Sequence, residues 1–215
     1  MGGSRGTRSR KLLDVAYQHV RQSYEARASE YSELFGTIDA TAADDRKAIA
    51  EWAASVDGNA LDAGCGPGHW TAFSHEHGTH IEGLDLSPSL VRLASERFPN
   101  LSFQVGNLTC LPHRDNSQGG ILSWYSIIHT PPAEVPQILN EFARVLRPGG
   151  TLLIGFFNGA RVEPFDHAVV TAWFWPVHEI ERELQRAGFE IVKAHRRIDE
   201  GCRPHGSVLA RRRKT

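Results

Sequence analysis

A glycine-rich turn, with an acidic residue about twenty positions after it, is the strongest chemical signal in the chain. Residues 60–68 read A-L-D-A-G-C-G-P-G, where a short apolar run gives way to a helical pattern. Glycines at such a turn let a ligand approach the backbone closely, and the amides that open the next helix favour an anionic group. Asp85 ends the next apolar run and could accept both hydroxyls of a ribose. These features predict a site for an adenosine-containing cofactor.

The spacing of the glycines favours one kind of cofactor over another. A dinucleotide fingerprint, G-x-G-x-x-G, that begins at Gly64 needs a third glycine at position 69 for close packing of helix against strand. That position is His69, and an acid, Asp62, precedes the turn. The pattern G-x-G-x-G therefore disfavours a pyrophosphate. A nicotinamide oxidoreductase built on the same kind of sheet stays open as an alternative.

A second set of candidate side chains follows the fourth and fifth apolar runs, where α/β proteins place their sites. The set comprises Tyr125, Ser126, His129, Asn158, Asp166 and His167. His129 is the first candidate for a general base, because it follows the fourth run directly and imidazole titrates near neutral pH. The alternative is a histidine that only caps the turn before Thr130. Tyr125, and His167 with Asp166, are the further catalytic candidates.

Alternating apolar runs and amphipathic segments predict the β-α units that would position these residues. Strands are expected at residues 59–63, 81–84, 101–105, 120–124 and 151–157, with a final antiparallel pair at 189–194 and 207–210. Helices are expected from a Thr41/Asp44 capping box through Trp52, at 70–76, from Pro88 to Phe98 after an N-cap at Ser87, at 135–145 before Pro148-Gly149-Gly150, and at 180–187. The sequence therefore predicts a doubly wound, mostly parallel sheet.

These motifs together resemble the Rossmann-like S-adenosylmethionine-dependent methyltransferases, in particular their small-molecule group, the methyltransferase type 11/25-like domains. The matching segments are Asp62–Gly68, Gly83–Ser87, Gly106–Leu108 before Leu111-Pro112, and Val145–Thr151. The resemblance implies a seven-stranded sheet of order 3-2-1-4-5-7-6 with an antiparallel last strand, helices on both faces and an N-terminal helical extension. It also implies S-adenosyl-L-methionine as cofactor and S-adenosyl-L-homocysteine as product.

The resemblance assigns cofactor contacts to particular residues. Gly64 and Gly66 would hold the methionine part, Asp62 would support the turn and the ammonium group, and Asp85 would take the ribose. Leu86 would pack on the adenine, and Asn107 stands where the family commonly has an aspartate for the adenine amino group. The remaining expected contacts are Tyr24 and Tyr31, on an N-terminal helix that closes over the cofactor, and Cys65, Gly68, Trp70, Leu108 and Trp124.

The length of 215 residues indicates one domain with elaborations rather than two domains. Residues 1–11 and 211–215 are expected to be disordered basic tails, and 12–56 to form the N-terminal helical cap. The connection 157–176 exceeds the usual two to six residues and is expected to be a lid over the substrate. Its aromatic residues, with those after the fourth run, could line an acceptor pocket or pack in the core.

Composition excludes several classes of protein. The net charge of −1, from 24 basic and 25 acidic residues, removes the global electrostatic argument for a nucleic-acid partner. The longest apolar runs are too short to span a membrane, and three scattered cysteines suit a reducing, cytoplasmic compartment. His75, His77 and His80 lack partnering carboxylates, so no metal is expected.

The sequence thus predicts an enzyme that moves a methyl group to oxygen or nitrogen of a small-molecule acceptor by in-line displacement. Three alternatives stay open. A nucleic-acid methyltransferase is disfavoured because residues 129–133, H-T-P-P-A, lack both ends of the usual Asn/Asp-Pro-Pro-aromatic motif. A nicotinamide oxidoreductase lacks its third glycine. A protein that binds the cofactor without turnover is compatible with the sequence, since displacement chemistry leaves no obligatory catalytic motif.

Overall fold

The computed structural model describes residues 37–214. The strands of this part, in chain order, are β1 Asn59–Ala63, β2 His80–Asp85, β3 Phe103–Val105, β4 Gln118–Trp124, β5 Leu146–Phe157, β6 Glu163–Phe165, β7 Ala172–Phe174, β8 Phe189–Arg197 and β9 His205–Arg212, and seven of them form the central sheet. The helices are α1 Ala43–Ser55, α2 His69–Glu76, α3 Pro88–Arg97, α4 Val135–Val145 and α5 Val177–Arg186, and a 3-10 turn, Ile38–Ala40, precedes α1. Strands β6 and β7 pair with each other outside the central sheet.

The order of the central sheet is β3-β2-β1-β4-β5-β9-β8. All pairs among β1 to β5 are parallel, whereas β9 runs antiparallel to both β5 and β8. This confirms the predicted order 3-2-1-4-5-7-6, with β8 and β9 as the sixth and seventh strands. The chain order reverses between β1 and β4, which makes the crevice beyond their carboxyl ends the expected ligand site of such a sheet.

Apolar side chains on both faces of the sheet form the core. Strand β4 is buried along its whole length, with Ile121 in one apolar cluster and Leu122 in the other. The first cluster includes Leu139 and Phe142 of α4, and the second includes Trp52 of α1. Burial on both faces explains why β4 is a continuous apolar run in the sequence rather than an alternating one.

The two expected helix starts differ in outcome. Ser87 caps α3, because its Oγ accepts the N–H of Leu90 at 3.3 Å and Pro88 takes the first helical position. The Thr41/Asp44 capping box was wrong. Helix α1 begins after Ala42 with no side-chain cap, and Thr41 Oγ1 instead donates to the carbonyl of Ile38 at 2.6 Å in the preceding 3-10 turn.

The predicted start of β5 and the predicted end of β9 are wrong, because strand pairing extends into segments that the sequence marks as a turn or a tail. Helix α4 ends at Val145, and β5 begins at Leu146, so Pro148-Gly149-Gly150 lie within the strand. Strand β9 continues through Arg211 and Arg212, which we had placed in a disordered tail. Arg211 pairs with Thr151 of β5, and Arg212 donates a side-chain hydrogen bond to the carbonyl of Leu146.

The segments expected to cover the site are only partly described. Of the predicted cap, 12–56, the structure describes the 3-10 turn and α1, whereas 12–36 lie outside the described residues. The predicted lid, 157–176, contains the β6-β7 hairpin, which the sequence did not indicate. Backbone hydrogen bonds from Trp173 to Ile128 and from Trp175 to Phe157, both 2.8 Å, join this segment to the sheet. Across residues 37–214, every helix is too short or too polar to cross a membrane.

Replacing Leu139 of α4 by alanine should lower the free energy of unfolding by about 2–5 kcal/mol, because the side chain is fully buried and its loss leaves a cavity. Chemical denaturation monitored by circular dichroism measures the change. The exposed neighbour Asn140, replaced by alanine, is the control and should stay within about 0.5 kcal/mol of the parent protein. Equal destabilisation by the two substitutions would contradict the core described here.

Candidate cofactor and acceptor site

The turn after β1 contains three glycines in the left-handed region, and their surroundings differ. Gly64, Gly66 and Gly68 have φ of +89°, +53° and +83°. A Cβ on Gly64 would lie 2.2 Å from Cβ of Ser126, and one on Gly68 would lie 2.9 Å from Ala94. A Cβ on Gly66 would have no neighbour within 4 Å. Packing therefore fixes the first and third glycines, whereas the second faces open space.

The carboxylate of Asp85, at the end of β2, binds the same turn. Its Oδ2 accepts the N–H of Gly66 at 2.9 Å, and its Oδ1 accepts the N–H of Ser87 at 2.9 Å. Burial raises the pKa of Asp85, and these backbone hydrogen bonds oppose that rise. A carboxylate has about four acceptor sites. A third backbone N–H, that of Leu86, also bonds this carboxylate. About one acceptor site is thus left for a further donor, and a ribose that uses both of its hydroxyls here must share or replace the Leu86 contact.

Asp62 lies below the turn, 1% exposed, and accepts a hydrogen bond from Thr71 Oγ1 at 2.6 Å. Burial raises the pKa of Asp62 to about 7, the Thr71 bond opposes the rise, and the charge of Asp85 adds to it. Burial and the same two carboxylates raise the pKa of the Cys65 thiol well above its usual value. Cys65 is therefore a small buried side chain in the turn rather than a nucleophile.

The expected adenine contacts are near the end of β3. Leu86 is partly exposed, and Leu108 packs against the larger apolar cluster. The side-chain oxygen of Asn107 accepts both the N–H and the Oγ1–H of Thr109, each at 2.9 Å. An amide oxygen has two lone pairs, and both are engaged within the loop. The expected bond from an adenine amino group to this oxygen would therefore have to displace one of them.

The four aromatic residues predicted to contact the cofactor differ in position. Trp70 and Trp124 are buried in the second apolar cluster, with their rings edge to face at 6.3 Å. Trp124 also packs over Gly155 of β5, where a Cβ would lie 2.8 Å from the indole ring. Tyr24 and Tyr31 lie outside the described residues.

Tyr125, the first residue after β4, has an unusual backbone and a polar partner. Its φ is +56°, a conformation that is uncommon for residues other than glycine. Its hydroxyl is hydrogen bonded to Nδ1 of His205, and burial raises the pKa of the phenol. We did not identify His205 from the sequence. The antiparallel pairing of β9 with β5 carries the signal, because it places His205 beside Phe157 at the end of β5.

His129 is buried behind the β6-β7 hairpin. Its Nδ1 lies 2.9 Å from the carbonyl of Thr171, which can only accept, so this nitrogen carries the proton. Burial lowers the pKa of His129 to about 4. The imidazole is thus neutral at physiological pH, and its observed contact joins the loop after β4 to the hairpin. Its predicted role as a general base remains untested.

His167 lies between His129 and a set of aromatic rings. Its ring is 5.1 Å from that of His129, and burial together with the nearby charge of Arg203 lowers its pKa. We define the aromatic cluster as the rings of the following residues, whose neighbouring centroids lie within 6.5 Å: Tyr125, Phe157, Phe165, His167, Phe174 and His205. The structure therefore brings all three predicted catalytic residues to one region, at the carboxyl ends of β4 and β5.

A nearly buried ion pair lies beside this region. Arg197 of β8 binds Asp45 of α1, with side chains 12% and 13% exposed, and Arg197 also contacts Asp199 at 2.6 Å. The two residues are 152 positions apart in the sequence, so sequence patterns could not predict the Arg197–Asp45 pair.

The histidines considered for a metal site have other partners. His75 contacts Thr79 and His80 contacts Asn59, and residues 37–214 contain no cluster of three or more His, Cys, Asp or Glu that could hold a metal ion.

Comparison with known proteins agrees with this geometry. Residues 60–150 match the model of a family described as a methyltransferase domain. Phosphoethanolamine N-methyltransferase 1 of Zea mays is 29% identical over 150 residues, which are 65% of this chain and 30% of the relative. Malonyl-[acyl-carrier protein] O-methyltransferase of Serratia marcescens is 29% identical over 133 residues, or 60% of this chain and 51% of the relative. The chain therefore spans about a third to a half of these relatives' length.

A solved structure has the same fold as the described part of the chain. It is the 1,6-didemethyltoxoflavin-N1-methyltransferase of Burkholderia thailandensis, with 1,6-didemethyltoxoflavin and S-adenosylhomocysteine bound. Its TM-score is 0.75 at 20% identity, over 95% of this chain and 90% of that chain. At this identity the likeness concerns the fold alone.

Replacing Gly64 by alanine should destabilise the protein more than replacing Gly58 by alanine. Both glycines have a positive φ, +89° and +85°, so both substitutions cost about 1–2 kcal/mol of backbone strain. Only at position 64 would the new methyl group overlap Ser126, which adds about 1–3 kcal/mol. Thermal unfolding of the two variants measures the difference, and equal melting temperatures would contradict the close contact between the turn and Ser126.

Proposed function

Because the chain carries a Rossmann-like, S-adenosylmethionine-dependent methyltransferase domain, we propose that it transfers a methyl group to oxygen or nitrogen of a small-molecule acceptor. The observation that carries the proposal is the pairing of Gly66 with Asp85. A glycine with open space at its Cβ position and a carboxylate with an acceptor site left meet at the crevice between β1 and β4. A zwitterionic amino acid joined to a nucleoside needs both features.

We infer that particular described residues receive the amino-acid and ribose parts of the cofactor. Gly66 leaves room for the amino-acid end, and the buried carboxylate of Asp62 favours the nearby ammonium charge. Asp85 keeps an acceptor site for the ribose, and the partly exposed Leu86 follows it toward the adenine. When bound, S-adenosylmethionine supplies an electrophilic methyl carbon on a sulfonium, which leaves S-adenosylhomocysteine after transfer.

The chain's own contribution to the reaction is mainly placement of the acceptor. In-line displacement needs the nucleophilic atom about 3 Å from the methyl carbon, so orientation alone can supply much of the acceleration. The aromatic cluster lies beside the turn, since Ser126, next to Tyr125, packs against Gly64. We place the acceptor there, with His129 holding the hairpin residue Thr171 in position behind it.

A small-molecule acceptor is supported by the relatives and by the charge of the chain. The names of the two curated relatives specify N- and O-methylation, so the acceptor atom varies among related proteins. The near-neutral charge of the whole chain gives no general attraction for a nucleic-acid backbone. The charge favours a small molecule over RNA, and retention on RNA at low salt would argue the other way.

Replacing Asp85 by asparagine should weaken binding of S-adenosylhomocysteine at least about tenfold. The amide puts an NH2 group against the N–H of Gly66 or of Ser87, and the turn loses an acceptor as well as the charge. Isothermal titration calorimetry measures the dissociation constant. The exposed Asp44, replaced by asparagine, is the matched control and should bind as the parent does. Unchanged affinity in the Asp85 variant would contradict the assignment.

Cofactor binding should depend on pH through Asp62. Because its pKa is about 7 in the free protein, part of the population holds a proton at neutral pH, and a cationic ligand must displace that proton. The dissociation constant for S-adenosylmethionine should therefore fall as the pH rises from 5.5 toward 7.5, by at most about tenfold per pH unit below the pKa and by less above it. Calorimetry in buffers of different ionisation enthalpy should detect proton release. The Asp62→Asn variant should lose the dependence, and a pH dependence that persists in it would assign the effect elsewhere.

An assay of methyl transfer distinguishes the proposed methyltransferase from a binding protein and from a nicotinamide oxidoreductase. Incubation with S-adenosylmethionine carrying a labelled methyl group should label an acceptor. Cofactor binding without labelled product from any acceptor would instead favour a binding protein. Failure to bind S-adenosylhomocysteine, with reduction of a nicotinamide cofactor, would favour the oxidoreductase.

A further inference from the structure

We propose that Tyr125 and His205 form a two-residue proton relay that deprotonates a flat, aromatic acceptor held by the aromatic cluster. The inference rests on the proposed function and extends it to the class of acceptor and the route of its proton. Tyr125 would touch the acceptor and act as the catalytic residue. His205 would act through Tyr125 as the residue that positions the phenol and takes its proton.

Tyr125 connects the aromatic cluster to the segment that packs on the cofactor turn. The next residue, Ser126, packs directly against Gly64. The N–H of Tyr125 donates to the carbonyl of Gly155 at 2.9 Å, and the Tyr125 ring lies 5.1 Å from that of Phe157. Strands β4 and β5 therefore hold this residue beside the end of the crevice where the amino-acid part of the cofactor would lie.

The backbone of Tyr125 adds an independent argument. A tyrosine at φ +56° is an uncommon conformation, and such outliers persist only where the surroundings enforce them. The neighbouring contacts that enforce it are the bond to Gly155, the edge-to-face contact with Trp124 at 5.8 Å and the bond to His205. With this backbone conformation, the hydroxyl group of Tyr125 reaches His205 of β9.

The relay follows from the donors and acceptors that the two groups possess. With His205 neutral and its Nδ1 unprotonated, the phenol donates to Nδ1 and keeps lone pairs on its oxygen. A proton then leaves the acceptor O–H or N–H and bonds to the Tyr125 oxygen, while the original phenolic proton bonds to Nδ1. The acceptor atom keeps the electron pair of its broken bond and becomes the nucleophile of the proposed transfer. His205 becomes an imidazolium, which returns its proton to solvent.

The charged groups around His205 favour its neutral form before the transfer and stabilise its imidazolium afterwards. Arg197 of β8 opposes its protonation, whereas Asp45 of α1 and Asp199 of the β8-β9 loop favour it. Burial opposes protonation as well, and Phe157 and Tyr125 are the remaining ring neighbours. The neutral form therefore prevails before the transfer, and two nearby carboxylates stabilise the imidazolium when it forms.

The aromatic cluster indicates the class of acceptor. Phe165 and Phe174 stack at 4.1 Å, and Phe157 meets His167 and His205 at 5.9 Å each. Burial lowers the pKa of both histidines, so their rings are uncharged near neutral pH. The guanidinium of Arg203 lies 4.8 Å from the centroid of the Phe165 ring, at one side of the cluster. Aromatic rings of this kind favour a flat acceptor through ring contacts, and a single hydroxyl or ring N–H of that acceptor then meets Tyr125.

The experiment compares three variants with the parent protein. Tyr125→Phe removes only the hydroxyl, His205→Ala removes the proton acceptor, and His195→Asn is the control, an exposed histidine on the neighbouring strand β8. The acceptors are 1-naphthol and 7-hydroxycoumarin for the O–H arm, and xanthine and lumazine for the N–H arm. Product is measured with labelled S-adenosylmethionine, and the dissociation constant for S-adenosylhomocysteine is measured by calorimetry on every variant.

We expect at least one member of the panel to be methylated, with kcat lowered about a hundredfold or more in Tyr125→Phe and His205→Ala. The dissociation constant should stay within about twofold of the parent, because neither side chain belongs to the cofactor turn. The acid limb of the kcat profile should disappear in His205→Ala, and added imidazole should restore part of the rate. His195→Asn should behave as the parent does.

A readout without acceptor tests the hydrogen bond itself. Nitrogen-15 spectra of the imidazoles should show His205 with its proton on Nε2, and Tyr125→Phe should shift the Nδ1 signal. A proton resident on Nδ1 in the neutral form would overturn the relay.

The proposal and the function beneath it fail in different ways. Loss of cofactor binding in the parent protein would overturn the proposed function. Normal binding with no methylation of any panel member would overturn the aromatic acceptor. Methylation with unchanged kcat and pH profile in His205→Ala would overturn the relay while leaving the methyltransferase intact.

Discussion

The hydrogen bond between the N–H of Gly66 and the carboxylate of Asp85 is the contact on which the rest of the site depends. It joins the loop after β1 to the end of β2, and the second oxygen of Asp85 holds the start of α3 through Ser87. A single carboxylate thereby fixes the turn and keeps an acceptor site that a ligand could use. Hydrogen bonds to a charged acceptor are stronger than those between neutral groups, so this carboxylate stabilises the turn, and in the proposed function it also binds the cofactor.

The glycines of the turn show how packing and binding share one segment. Only glycine fits at positions 64 and 68, because Ser126 approaches the first closely and Ala94 and Phe103 approach the second. Gly66 has open space instead, so packing does not explain its missing side chain, and the proposed function assigns that space to a ligand. The close contact with Ser126 has a further consequence, because it sets the distance between the turn and Tyr125. The same backbone approach that closes the sheet therefore brings the two halves of the site together.

Sequence patterns predicted the parts of the molecule that arise from local chemistry. The apolar runs located β1 to β5, Ser87-Pro88 located the start of α3, and Gly64 with Asp85 located the crevice. The parts that were missed depend on long-range pairing. His205 meets Tyr125 across 80 residues, and Arg197 meets Asp45 across 152. The capping box failed for a related reason, since a carbonyl three residues upstream competed for the Thr41 hydroxyl.

A crystal structure with S-adenosylhomocysteine tests the central claim most directly, because it locates each part of the ligand against named atoms. The account predicts both ribose hydroxyls within hydrogen-bond distance of the Asp85 carboxylate, with the Gly66 N–H bond retained and the amino-acid tail over Gly66. A ribose bound away from Asp85, or a turn that must break its bond to Asp85 to admit the ligand, would contradict it.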